Sequence, residues 1–458
     1  MNVVKMRFPN KLLTLFIGFL GLHNLHAQTN EVRPNVIVIY SDDQGWTDIN
    51  SFGGKDLYTP VLDSLAADGV RFTQFYAASP VCSPSRASLL TGRYPQRAGL
   101  AVNASSHKGV EGMPTEQYTI GEFFRDAGYE TAHIGKWHVG YTPETMPNAQ
   151  GFDYSYGFMG GCIDNYSHFF YWDGPNRHDL WCNGKEVYED GTYFPDLMIR
   201  ETNTFIDKNK DNPFFIYFAI NMPHYPLQGE KKWLDYYSDK GLESPRDKYA
   251  AFVSTMDEKI GEVVNHLKEL GLYENTIIVF QSDHGFSEEE RGFGGGGSAG
   301  VLRGSKFSLF EGGTRVPAII TWPRGIEANQ VRDQFSANID WYPTLAELCG
   351  IHLPARRLDG KSLVSIIADK NEPTKHDVFF WRQGGSKEKP QWAVRMGDWK
   401  LLRYPVFAED KELDERGFFL VNINEDLAET KNLAQQFPQR VKELEILYEE
   451  WLADVSLQ

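Results

Sequence analysis

Short apolar runs divide the chain, among them Val36–Tyr40, Thr131–Ile134, Phe214–Ile220, Thr276–Phe280 and Val316–Ile320. Their apolar side chains are largely consecutive rather than alternate, the pattern of strands buried on both faces. Helical patterns with recognisable ends lie between them. Thr59-Pro60 opens one that Gly69 closes, and Thr119-Ile120-Gly121-Glu122 is a capping box whose helix stops at Gly128. A longer helix from Lys248 to Leu270 leads into the Thr276 run. Alternating strands and helices predict an α/β fold, a large and mostly parallel sheet sandwiched by helices. The character then changes. Ala393–Met396, Trp399–Arg403 and Phe418–Asn422 read as strands joined by polar turns, and Val441, Leu444, Leu447, Trp451 and Leu452 form one apolar helix stripe. A smaller α+β subdomain with an antiparallel sheet is expected there.

The N-terminus stands apart. Lys5, Arg7 and Lys11 precede an apolar run, Leu12–Leu22, too short to span a bilayer, and Ala27 follows as a small residue at the boundary. This predicts a signal peptide over residues 1–27, a main α/β domain over 28–370 and the subdomain over 371–458. The mature protein is expected in the periplasm or outside the cell, without a membrane span. Removing the leader takes the formal net charge from -16 to -19, which argues against nucleic acid as a partner. A sulfated or phosphorylated substrate would need a locally positive site. Four cysteines, Cys82, Cys162, Cys182 and Cys349, are too few for a disulfide framework. Cys162 and Cys182 are spaced to pair across a short loop, and Cys349 belongs to an apolar helical pattern.

Polar groups collect where the apolar runs end. Ser41-Asp42-Asp43 follows the first, Lys136 and His138 in GKWHVG follow the second, His224 in NMPHYP the third and Ser282-Asp283-His284 the fourth. Individually, acids cap helices, histidines satisfy cores and lysines face solvent. Together they fit the carboxyl edge of an open sheet, where ligands bind. Asp42, Asp43 and Asp283 would repel one another unless a cation lay between them, and hard oxygen ligands favour Ca²⁺ or Mg²⁺. His284 is a softer ligand and leaves the ion open.

Cys82 introduces a second theme. In VCSPSRASLLTGR, Ser83 suits a helix N-cap, Pro84 the first helical position and Gly92 the end. Residue 82 then precedes a helix N-terminus, where an anion is favoured, and Arg86 reaches back one turn. A disulfide partner, a metal ligand, an ordinary thiolate nucleophile and a residue that does not remain cysteine all fit that position.

Cys82-Ser83-Pro84-Ser85-Arg86, continued by Leu90-Thr91-Gly92-Arg93, resembles the signature of type I sulfatases, of the alkaline phosphatase superfamily. RPNVIVIYSDDQGW, TPVLDSLAADGVRFTQFYA, HIGKWHVG, SDHG, RGSKFSLFEGGTRVP and NINEDLAETKNLA resemble further family landmarks in family order. The resemblance implies that Cys82 is converted by a maturation enzyme to Cα-formylglycine (3-oxoalanine). It implies that Asp42, Asp43, Asp283, His284 and the modified Cys82 hold Ca²⁺, with Mg²⁺ as the alternative. Many members carry asparagine at the position of His284. Arg86 and Lys136 match groups that hold the formylglycine and sulfate, His138 the base that breaks the enzyme ester, and His224 and Lys306 groups near the leaving oxygen. The implied reaction is hydrolysis of sulfate esters, with a sulfated carbohydrate as the expected substrate. Asn103, His168, Arg303 and Arg382 are candidate substrate contacts, and the aromatic segment Asp164–Trp172 is a candidate sugar-stacking rim. The rivals are a phosphonate monoester or phosphodiester hydrolase and a calcium-dependent glycan-binding protein without turnover.

Overall fold

Successive residues of each apolar run enter opposite cores, as a strand's period of two requires. In the computed structural model, which describes residues 33–456, Val36, Val38 and Tyr40 pack with Phe215, Tyr217, Ile277 and Val279 on one face. Ile37 and Ile39 pack with Phe214, Ile216, Ile278 and Phe280 on the other. Helices Ile120–Asp126 and Trp341–Leu348 cover the first face, and Pro60–Ala67, Phe194–Asn209 and Arg246–Glu269 cover the second. The predicted leader lies outside the described residues.

The main sheet has ten strands. Thr276–Ser282, Asn35–Ser41, Phe214–Ala219, Glu130–Lys136 and Tyr154–Phe158 run parallel at its centre. Ala318–Thr321, overlapping the Val316 run, pairs antiparallel with Thr276–Ser282. A buried strand carries the same apolar pattern in either direction, so the reversal left no mark in the sequence. The capping box is present, with Thr119 Oγ1 accepting from Glu122 N at 3.1 Å and Glu122 Oε2 from Thr119 N at 2.8 Å. Gly69 begins a strand instead of ending a helix, which Asp68 caps. Cys162 and Cys182 are free thiols.

A four-stranded antiparallel sheet follows, with Val378–Gly385 joining the three expected strands, and the Pro438–Val455 helix packs Val441, Leu444 and Trp451 against it. This subdomain meets the main sheet around a buried ion cluster. Lys400 Nζ lies 2.8 Å from Glu311 and 3.2 Å from Glu429, and Glu311 N donates to Glu429. Burial raises the Glu311 carboxyl, but Lys400, Arg395 and Arg315 outweigh it and hold it low. Burial pushes Glu429 up to about 7 against the pull of Lys400, helped by the charge on Glu311.

That shift has a sign. A carboxyl raised above its unfolded value of about 4.3 stabilises the fold fully below that pH and loses its contribution as pH rises through the folded value. Glu429→Gln is therefore expected to flatten the decline of Tm between about pH 5 and pH 8. Thermal melts of both proteins across that range test it, and parallel curves would place the dependence elsewhere.

Candidate active site

Four neighbouring parallel strands deliver their polar ends to one place. Asp42 and Asp43 follow Asn35–Ser41, Asp283 and His284 follow Thr276–Ser282, Lys136 ends Glu130–Lys136, and His224 lies beyond Phe214–Ala219. Asp43 and His138 adopt φ of +62° and +54°, left-handed conformations that turn the chain sharply at the strand ends. Lys306 arrives from a loop whose backbone is tied to the main domain by Lys306 N donating to Phe286 O at 2.7 Å.

Cys82 is the first residue of helix Cys82–Thr91, with Val81 at the N-cap, two positions earlier than expected. Ser83 is already helical. Its N–H donates to Asn103 Oδ1 at 3.1 Å, so a side chain from the next loop caps the first turn. Cys82 Sγ lies 3.3 Å from His284 Nε2 and 3.9 Å from Asp42 Oδ1. Burial raises the thiol, but Lys136, Lys306, His284 and a hydrogen bond with His138 hold it well below its ordinary value. Position 82 is built to favour an anion.

Around it, charges pair closely. Lys136 Nζ reaches both oxygens of Asp42, at 2.9 and 2.8 Å. Arg86 Nη2 lies 3.2 Å from Asp42 and 2.9 Å from Asp283, and Lys306 Nζ lies 2.9 Å from Asp43 and 3.2 Å from Glu289. Burial pushes Asp43 and Asp283 upward, whereas Lys136, with Arg86, overcomes burial at Asp42 and holds it down.

One contact asks for a cation. His284 Nδ1 donates to Gly285 O at 2.9 Å, so in the neutral ring Nε2 presents a lone pair. That atom faces Asp43 Oδ1 at 3.3 Å and Asp283 Oδ1 at 3.5 Å, and Asp43 Oδ1 is buried without a hydrogen-bond partner. Asp283, Cys82 and Asp43 outweigh burial and raise His284 to about 9, so a cation, a proton or a metal ion, belongs between these atoms, and Asp42, Cys82, Asp283 and His284 present ligand atoms within 4.8 Å of one another. Asp42, Asp43, Asp283 and Glu289 offset Arg86, Lys136, Lys306 and Arg291, which pairs with Glu289. The cluster is thus formally balanced, and a divalent cation is what would make it attract an anion.

Cys82, His138, His224 and Lys306 open onto one pocket, where Asn103, Ser106, His107, Trp172, Asp173, Tyr225 and Arg291 form the walls. Gly161 leaves the His138 ring its place, since a Cβ there would meet His138 Nε2 at 3.2 Å. The Asp164–Trp172 segment contributes Phe170 and Trp172 to this wall. Ser106, His107, Asp173 and Arg291 were not singled out by sequence, although Arg291 adjoins the glycine run 292–297, whose composition marks a loop able to flank a site.

Three expected substrate contacts lie elsewhere. Arg303 donates to Phe407 O, Glu429 O and Glu412 Oε2 at 2.5, 3.0 and 2.8 Å, tethering the C-terminal subdomain. Arg382 is exposed because strand alternation turns its neighbour Trp381 inward, where Nε1 donates to Ala77 O at 2.8 Å. His168 is buried and bonded to Thr192 O. Asn103 does line the pocket.

The family model described as Sulfatase matches residues 34–351, and that described as N-sulphoglucosamine sulphohydrolase, C-terminal, matches residues 305–453. The chain is 31% identical to steryl-sulfatase of Homo sapiens, over 83% of this chain and 76% of that protein. It is 33% identical to N-acetylgalactosamine-6-sulfatase of Sus scrofa, over 76% and 68%. Among solved structures, Ps i-CgsB in complex with k-i-k-neocarrahexaose is similar at a TM-score of 0.82 and 33% identity, over 92% of each chain.

Proposed function

This chain belongs to the sulfatase family as a sulfuric ester hydrolase, and we propose that it removes sulfate from a sulfated carbohydrate in the periplasm or outside the cell. The observation that carries the proposal is the junction of two features in one pocket. Cys82 sits at a helix N-terminus among metal-ligand side chains, and a wall of Trp172, Asp173, His107 and Arg291 opens above it. That wall combines an aromatic face with polar groups able to meet sugar hydroxyls. The similarity to a structure holding a neocarrahexaose supports the same substrate class.

Asp42, Asp43, Asp283 and His284 would hold a divalent cation, Ca²⁺ by their mostly carboxylate character. Matured to Cα-formylglycine and hydrated, residue 82 would supply a hydroxyl nucleophile toward sulfur, and the cation would make that hydroxyl more acidic. Arg86 and Lys136 carry fixed positive charge beside that position and neutralise charge on sulfate oxygens. Lys306 stays charged, held well above its ordinary value because Asp43, Cys82, Tyr225 and Glu289 together outweigh burial, and it stabilises the leaving oxygen. Burial keeps His224 neutral in the free protein. An anionic ester in the pocket raises its affinity for a proton, which Nε2 passes to the departing alcohol. His138 takes the remaining hydroxyl proton when sulfate is released.

The test is sulfate release from a panel of defined sulfated oligosaccharides, with protein co-expressed with a maturation enzyme and residue 82 checked by peptide mass. Release from a panel member supports the assignment and names its sugar. Faster turnover of phosphonate monoesters or phosphodiesters would overturn it.

Arg291 tests the wall. Its guanidinium lies 4.0 Å over the Trp172 ring and 4.9 Å over Tyr225. Arg291→Ala is expected to raise KM about 10-fold, as for loss of a desolvated cation–π and ionic contact, with kcat nearly unchanged. Steady-state kinetics on the substrate found above check it, and an equal loss confined to kcat would place Arg291 in the chemistry.

A further inference from the structure

Beyond the active-site pocket, two histidines close to one carboxylate each carry a bare, buried ring nitrogen. His168 Nε2 lies 3.0 Å from Thr192 O. A carbonyl only accepts, so the proton is on Nε2 and Nδ1 of the neutral ring carries a lone pair. His178 Nδ1 lies 3.1 Å from Glu186 Oε1, which by the same reasoning leaves Nε2 bare. Both His168 Nδ1 and His178 Nε2 are buried with no hydrogen-bond partner. His168 is 0% exposed. The carboxylate of Asp190 completes the group, 3.9 Å from His178 Nε2, and the three ligand atoms lie within 4.8 Å of one another.

We propose that His168 Nδ1, His178 Nε2 and the Asp190 carboxylate form a second metal site, one that takes a divalent transition ion, Zn²⁺ foremost. Two imidazoles and one carboxylate suit zinc, which needs about 2.0–2.2 Å to each ligand. The exposed Asp190 side chain can rotate to close the remaining distance. Each imidazole already has the outer partner that fixes a ligating histidine, a carbonyl for His168 and a carboxylate for His178. Tyr188 stacks on the His178 ring at 4.3 Å and 16°, shielding its face from water.

The location gives the site a purpose. His168 precedes strand Phe169–Phe170, and His178 ends its antiparallel partner Arg177–His178. The connection between those strands carries Trp172 and Asp173, part of the pocket wall. Asp190 and Thr192 belong to the segment entering helix Phe194–Asn209. A metal here ties the hairpin bearing the wall to the helix of the main domain.

Zn²⁺ binding to the chelator-stripped full chain tests this, with Ca²⁺ present to fill the carboxylate cluster and Cys82→Ala to remove the competing thiol. The expected result is one Zn²⁺ per chain by equilibrium dialysis, a matching tetrahedral Co²⁺ spectrum and a higher Tm on loading. His178→Gln and Asp190→Asn should weaken Zn²⁺ by about 100-fold or more and remove the Tm gain, whereas Asp283→Asn should not. Asp190 is exposed, so its variant decides the matter if His178→Gln fails to fold. No bound Zn²⁺, or binding undiminished in Asp190→Asn, would overturn the site. These readouts do not depend on turnover, so they stand apart from the assigned activity.

Discussion

Cys82→Ala should abolish sulfate release, by about 10⁴-fold or more, as loss of a catalytic nucleophile does elsewhere. The side chain at this position lies 3.3 Å from His284 Nε2 and 3.9 Å from Asp42 Oδ1, at the first turn of a helix and at the base of the pocket. Among the described residues, no other nucleophile shares that setting. Cys162 also reaches the pocket, but burial pushes its thiol up to about 12, which leaves it protonated and inert. Alanine fits a first helical turn, so Tm should be nearly unchanged, separating lost chemistry from lost fold. Serine should not rescue, because one hydroxyl cannot both carry sulfate and expel it. Ion chromatography of released sulfate checks the loss. Unmatured Cys82 protein as active as the matured form would replace the formylglycine with a thiolate nucleophile.

Removing the divalent cation should have the second largest effect. Asp42, Asp43 and Asp283 are all buried beside position 82, and Asp43 Oδ1 has no partner of its own. Without the cation, the cluster's charges formally cancel, and Arg86, Lys136 and Lys306 meet an arriving sulfate ester already paired with carboxylates. Exhaustive chelation is expected to lower kcat/KM by about 10³-fold or more, the several kcal/mol a catalytic metal supplies. Tm should fall as well, because the ion binds only the folded chain. Ca²⁺ alone should restore both, as read by kinetics and thermal melting in metal-free buffer. Fuller recovery with Mg²⁺ would reassign the ion. Activity that persists in stripped protein would remove metal from the reaction altogether.

What could be read from sequence was local in its physics. Apolar runs marked the central strands because burial on both faces leaves consecutive apolar residues. Asp42-Asp43 and Asp283-His284 were legible as site residues because each pair directly follows such a run, and strand ends are where an open sheet binds ligands. The capping box at Thr119 was legible because both its bonds span three residues. The helix start at Cys82 was misplaced by two positions because its capping group is Asn103, brought in by the fold rather than by the neighbouring chain.

Long-range placement decided the rest. Arg303 and Arg382 looked no different from Arg291 as residue types, yet only Arg291 faces the pocket. Arg303 is drawn away by acceptors more than a hundred residues distant, at Phe407, Glu412 and Glu429. The sequence by itself determined the α/β class, the placement of the carboxylates at strand ends, and the sulfatase signature around Cys82, since each is written in adjacent residues. Only the tertiary structure decided which lone pairs face each other across Asp43 and His284, which groups wall the substrate, and that His168 meets His178 and Asp190. Those are contacts between segments remote in sequence, whose geometry depends on how the packed cores orient every strand end and loop.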